Sequence, residues 1–429
     1  MPRAFVRPAL RFAEVEAAGG LVMLAAAVAA LVWANSGWQD AYEALWTTTV
    51  LVRLGTLVSL ELDLHGLVNE GLMTLFFLLA GLEIKRQVAT GELRDPRAAA
   101  LPALAALGGM VVPALIYAAI NAGGPGAGGW GIPVATDIAF AVGVVTLVGR
   151  RIPLGGRIFI LTLAVVDDVG GIVVIAVFYA EGVRWPWLAL ASGAAVGASV
   201  VQRLEVRSLT PYLVLGALCW YALHQAGVAP AIAGVVFGLL TPVAPFHDPA
   251  RIGEVTSALT GRIERGDEIA VEDLARYAKE TASPLERVEG RLNLWVSFAV
   301  VPLFALANAG VPLRNASLDA RVVLGVGAGL VLGKTLGVFG AAVLAVRLGV
   351  GRLPAGTTWR SLFGLAVTAG IGFTVALFVT SLSFENPRLQ ASAKLGVLGA
   401  SLVAGLAGYL LLRRCPAPSV PDRAGPTTL

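Results

Sequence analysis

The chain has 429 residues, of which 57% are apolar and only 14% charged, with a mean hydropathy of +0.78. A soluble domain carries about 25% charged residues, so this balance excludes a soluble globular protein, a disordered chain and a collagen-like one. The net charge of +4 comes from basic residues set between apolar runs, which reads as membrane topology rather than as nucleic-acid binding.

A spanning helix takes roughly 20 apolar residues, and the apolar runs predict twelve: 17–34, 66–84, 98–120, 132–149, 156–180, 186–201, 209–224, 228–244, 293–310, 321–346, 361–382 and 391–412. Residues 1–16 are basic, then apolar. Glu14 and Glu16 interrupt any signal-peptide pattern, so 1–16 reads as a cytoplasmic segment before an uncleaved first span. Residues 49–64, TVLVRLGTLVSLELDL, alternate about Gly55-Thr56 and predict a β-hairpin outside the membrane. Residues 245–292 are charged, with a helical stretch VEDLARYAKE, and read as a cytoplasmic linker. The membrane domain then occupies 17–412, and 413–429 reads as a disordered cytoplasmic tail. Two cysteines, Cys219 and Cys415, supply neither a disulfide framework nor a metal motif.

Twelve spans put both termini on one side. The opposite side holds Arg53, Arg184, Arg314, Arg321, Arg388 and Lys394, and Lys334 falls within a span; the other 25 of the 32 basic residues lie on the side of the termini. The positive-inside rule places that side in the cytoplasm.

Ionisable groups at mid-membrane depth are costly and mark function. Asp167 and Asp168 sit together in ILTLAVVDDVGGIVVIAVFY. Two adjacent carboxylates there need shared protons, a balancing cation or a basic partner. Neighbouring helical positions point about 100° apart, so one acid can face a wet cavity while the other faces a neighbouring helix. In GIPVATDIAFAVG, Pro133 and the pair Thr136-Asp137 interrupt a span. The alternatives for Asp137 are a carboxylate offsetting a half-helix dipole inside the membrane or a cap at the membrane surface. Lys334, in GAGLVLGKTLGVFG, is the one base at such depth and calls for a carboxylate partner. Gly370, Gly372 and Thr374 mark a second candidate break. Spans 3–5 and 10–12 would then match as an inverted repeat, which points to a midplane transport site.

Taken in order, NEGLMTLFFLLAGLEIKRQ (69–87), GIPVATDIAFAVGV (131–144), LAVVDDVGGIVVIAVFY (163–179), PLFALANAG (302–310), GKTLG (333–337) and AGIGFT (369–374) resemble the NhaA family of bacterial sodium/proton antiporters, from about residue 15 to 412. That family is itself an instance of inverted repeats with discontinuous helices, so the two readings are not independent. The resemblance implies an all-α bundle with two crossing broken helices and a small extracytoplasmic hairpin. It implies exchange of Na⁺ or Li⁺ for H⁺ across the bacterial inner membrane, by alternating access, electrogenic and pH-regulated, with no enzymatic activity and no cofactor. Asp168 is then the main carboxylate that takes cation or proton, with Asp167 beside it, so that Na⁺ binds at Asp167 and Asp168. Lys334 pairs with Asp167. Thr136 and Asp137 mark the first unwound segment, reached from Pro133; Gly370, Gly372 and Thr374 mark the second. Glu83, Lys85, Arg86 and Glu289 match positions tied to pH regulation, and the 49–64 hairpin matches a homodimer contact.

Some positions depart from the family. Glu70 stands where Asp is common, Gln87 where an acid is common, and Ala229, Gly290 and Asn293 where histidines are known. Two other classes share some features. An organic-anion/sodium symporter of similar fold would not need Lys334 facing an acid pair. An intramembrane aspartyl protease would carry its acids on two helices in a GxGD motif, which this sequence lacks.

Overall fold

A computed structural model describes residues 3–54, 58–180, 182–204, 206, 208–245, 254, 256–257, 259–260, 281, 283–313 and 317–416. The expected hairpin turn at Gly55-Thr56, the VEDLARYAKE helix and nearly all of the expected tail lie outside the described residues.

Each of the twelve apolar runs carries a helix. Among the described residues, seven helices are long and apolar enough to cross a membrane, or nine if two bent pairs each count as one span. Contacts divide the chain into two units. The first holds residues 1–65, 95–179 and 301–429; the second holds 66–94 and 180–300.

In the first unit, α1 (Arg3–Ala34) turns sharply into α2 (Gln39–Trp46), at 117°. The helix extends back through most of the 1–16 segment read as preceding the first span, because nothing in RAFVRPALRFAEVEAA beyond one early proline opposes helix. The hydropathy pattern missed α2, which is short and amphipathic. Tyr42 fastens it by donating from its hydroxyl to the Leu306 carbonyl at 2.8 Å. Strands β1 (Thr49–Leu54) and β2 (Val58–Asp63) pair antiparallel. The register sets Val50 opposite Leu62 and Val52 opposite Leu60 on one face, with Thr49 opposite Asp63 and Arg53 opposite Ser59 on the other. The alternation thus gives one apolar and one mainly polar face.

The second unit contains α3 (Leu64–Ala89, save its first two residues), α7 (Trp185–Arg203), α8 (Thr210–Ala226) and α9 (Ile232–Leu240). Helix α9 is shorter than its apolar run of 228–244. Pro230 precedes it, and Thr241-Pro242 ends it, since the residue before proline leaves the helical region. Helix α10 runs from Pro284 to Asn308, nine residues earlier than its apolar run begins. Ser283 starts it with a capping box to Glu286, and Pro284 sits at the first helical position. The charged first turns, with Glu286, Arg287, Glu289 and Arg291, masked this start and made it read as linker.

Back in the first unit, α4 (Pro96–Asn121), α5 (Ile138–Val148) and α6 (Leu154–Phe178) form one triplet. A second comprises α11 (Ala320–Arg347), the broken pair α12 (Trp359–Thr368) and α13 (Phe373–Ser383), and α14 (Pro387–Arg413). The middle span of each triplet is broken. A 3₁₀ turn, Ala127–Val134, precedes α5, and extended backbone follows it at Ala135. Helices α12 and α13 meet at 43° across Gly370-Ile371-Gly372. A side chain at Gly370 would bring a Cβ to 2.5 Å from the Leu330 carbonyl oxygen, so close approach of backbone demands glycine there.

Candidate functional site: a crossing of broken helices

The two breaks cross at backbone level. The Asp137 amide donates to the Ile371 carbonyl at 2.6 Å, and the Thr136 hydroxyl donates to the Ala369 carbonyl at 2.9 Å. Groups freed by ending a helix inside the bundle therefore find partners in the other break.

Asp137 is buried and serves both half-helices. Its Oδ1 accepts from the Phe140 amide at 3.1 Å, capping α5. Its Oδ2 accepts from the Thr374 amide at 3.0 Å and hydroxyl at 2.6 Å, at the start of α13. Of the alternatives left open by the sequence, the geometry fits a carboxylate offsetting half-helix ends, which it does by capping them. It lies in the interior rather than at the surface, and it serves two positive helix ends at once.

Asp167 and Asp168 separate as their angular offset requires. Asp167 is 0% exposed, and its oxygens both accept from the Lys334 ammonium at 2.7 Å. Its Oδ2 also takes the Thr136 amide at 2.7 Å. Lys334 is itself 0% exposed, so each charge of this pair has its partner in a place where an uncompensated one would be costly. Asp168 keeps 9% of its surface and lies within electrostatic reach of Lys334. Asp167 is thus enclosed by Lys334 and Thr136, and Asp168, also buried, is the less enclosed of the two. Among the described residues no three His, Cys, Asp or Glu side chains gather as a metal cage. A hard cation at Asp168 would complete its shell from hydroxyl, carbonyl and water oxygens.

These residues come from places far apart in sequence: Thr136, Asp137, Asp167, Lys334, Gly370, Gly372 and Thr374 all meet within the first unit. Pro133 stands just before the first break, against Gly329 of α11.

The pH-linked candidates meet in the second unit. Arg86 pairs with Glu83, donates a further bond to it from Nε at 3.1 Å, and lies 3.2 Å from Glu289. Gln87 donates to Glu83 at 2.9 Å, which gives this departure from the family pattern a defined partner. Lys85 lies on the same helix, in sequence between Glu83 and Arg86.

The same unit holds a pair the sequence did not reveal. His224 Nδ1 lies 2.6 Å from Glu70 Oε2, and Trp220 stacks on the imidazole at 6.0 Å while donating to the Glu70 carbonyl. With Glu70 and His224 154 positions apart, no local pattern could join them.

A family model described as Na⁺/H⁺ antiporter 1 matches residues 10–412. The chain belongs to this Na⁺/H⁺ antiporter family. It is similar to the Na(+)/H(+) antiporter NhaA of Anaeromyxobacter sp. (strain Fw109-5), at 46% identity over 96% of this chain and 92% of that protein. To the NhaA of Rhodopirellula baltica it is 42% identical over 97% of this chain and 96% of that protein. Among solved structures, its fold is similar to that of the sodium proton antiporter MjNhaP1 from Methanocaldococcus jannaschii. That likeness has a TM-score of 0.52 at 13% identity and covers 96% and 99% of the two chains. A shared fold at so low an identity speaks for architecture only. Family and apolar helices together make this a multi-pass membrane transporter, and neither the symporter nor the protease reading gains support.

Proposed function

We propose that this protein exchanges Na⁺ (or Li⁺) for H⁺ across the bacterial inner membrane by alternating access, with Asp168 as the group that binds either ion. One observation carries the reading: two adjacent carboxylates are buried beside the crossing of two broken helices, Asp167 against Lys334 and Thr136, and Asp168 the less enclosed of the two. The family and its NhaA relatives support the same exchange. A shared site needs no separate coupling device, because cation and proton exclude each other. Electrogenic exchange, as the family resemblance implies, needs more than one proton per Na⁺, so a second group must release a proton along with Asp168, and the neighbouring Asp167–Lys334 pair is the candidate. The positive-inside bias places both termini in the cytoplasm. Competition at the site is the main source of pH dependence in this reading, and the Glu83–Arg86–Glu289 cluster, with Lys85 on the same helix, is the candidate for any control separate from it.

Competition fixes the sign of the pH response. At low pH the acid holds its proton and Na⁺ binds poorly. Raising Na⁺ displaces protons, so the activity midpoint moves to lower pH, by up to about one unit per tenfold Na⁺ above its Kd. Everted vesicles with a pH-sensitive dye measure this. A midpoint that stays fixed as Na⁺ varies would argue for a control separate from the transport site.

The hairpin fits a homodimer contact in this reading. A lone two-stranded ribbon is marginal and has two open edges, and Val52 on its apolar face is 44% exposed. Deleting residues 49–64 should weaken the dimer and leave exchange measurable, since no proposed ligand lies there. Wild-type protein that runs as a monomer in mild detergent would count against this role.

A further inference from the structure

Helix α11 carries a buried stripe with an unusual period. Val322, Val326, Leu330, Lys334, Val338 and Ala342 are all 0% exposed, each four residues from the last. A regular α-helix turns about 100° per residue, so five steps of four residues drift by about 200° around its surface. Such a stripe cannot stay on one face of a regular helix.

The helix is not regular. Gly329–Gly333 forms a π-helical turn, with α-helix on both sides. A π turn accommodates one extra residue and so takes back about 100° of the drift. It lies immediately before Lys334. The two flanking halves have different settings: Val326 packs where Gly396 of α14 comes close, with Gly325 against Tyr117 of α4, and Val338 packs where Gly109 of α4 does. The π turn itself is wedged, because a Cβ on Gly333 would lie 2.7 Å from the Pro113 Cα, and one on Gly329 would lie 2.7 Å from the Pro133 ring.

We propose that the π turn Gly329–Gly333 is the positioning element that aims Lys334 at Asp167. The extra residue reconciles the packing of the outer half of α11 with that of the inner half. Lys334, the first residue after it, is thereby brought onto the carboxylate. Its importance for transport rests on the function proposed above; its effect on the ion pair does not.

The test turns Lys334 off the carboxylate while the flanking halves stay packed. An alanine is inserted after Leu332, 56% exposed, and Leu336, 61% exposed, is deleted. Length is kept, and residues 333–335 turn by about 100° or more whether the extra residue stays before Lys334 or moves past it. Leu332→Ala, with the π turn intact, is the control. The readout is the fall in Tm caused by Asp167→Asn in each background. In the native chain and the control, that substitution should lower Tm by several degrees. In the shifted chain it should lower Tm by less than a third as much, because the pair is already parted. An undiminished penalty there overturns the proposal, whether or not the protein transports Na⁺. If the shifted chain does not reach the membrane, exchanging two neighbours (Lys334→Thr with Thr335→Lys) turns the ammonium by about 100° at unchanged length and gives the same comparison. Exchange assays on the same proteins report separately on the transport reading.

Discussion

Asp168→Asn should abolish Na⁺/H⁺ exchange and leave a folded, membrane-inserted protein. The amide keeps the size and most of the hydrogen bonding of the acid, but it carries no charge for the cation and has no proton to trade. Asp168 is also the less enclosed of the two buried acids, at 9% exposed against 0% for Asp167, whose oxygens meet Lys334 and Thr136. The variant should purify as well as the wild type, and everted vesicles carrying it should show no more dequenching on Na⁺ addition than vesicles without the protein. Purified wild type should release protons when Na⁺ is added, and the variant should not. Exchange at the wild-type level would remove Asp168 from the site.

Asp167→Asn should instead cost stability. It leaves the Lys334 ammonium inside the bundle without the carboxylate that meets it at 2.7 Å. Breaking one partner of a buried ion pair costs about 3–5 kcal/mol. Asp168→Asn leaves that pair intact, so its melting temperature should lie clearly above that of Asp167→Asn. Adding Lys334→Gln to Asp167→Asn should recover part of the loss, because two neutral amides of suitable length can bond to each other. Equal melting temperatures for the two single variants, or no recovery in the double variant, would mean that the contact is not a stabilising one.

The sequence by itself determined the class of the protein and the identity of its unusual residues. Twelve apolar runs could be read because a bilayer imposes length and hydropathy on each span separately. Asp137, Asp167, Asp168 and Lys334 stood out for the same reason: a charge among apolar neighbours is conspicuous whatever the fold. The hairpin was legible from alternation, which is also local. Where polar residues began a helix, as at Pro284, or where a short amphipathic helix lay outside the spans, as at Gln39–Trp46, hydropathy gave the wrong boundary or none. No local pattern fixes the pairings: the Lys334–Asp167 pair was available beforehand only through the family resemblance, and tertiary structure decided the rest. That Asp137 caps two helices depends on Thr374, 237 positions away, and that Asp167 rather than Asp168 meets Lys334 depends on the rotation of two helices about their axes. The π turn before Lys334 shows why. A period of four in GxxxGxxxGxxxG is visible in the sequence from Gly325 to Gly337, but a helix can satisfy it by supercoiling, kinking or local unwinding. Only the packing of Gly329 against Pro133 and of Gly333 against Pro113 selects among these.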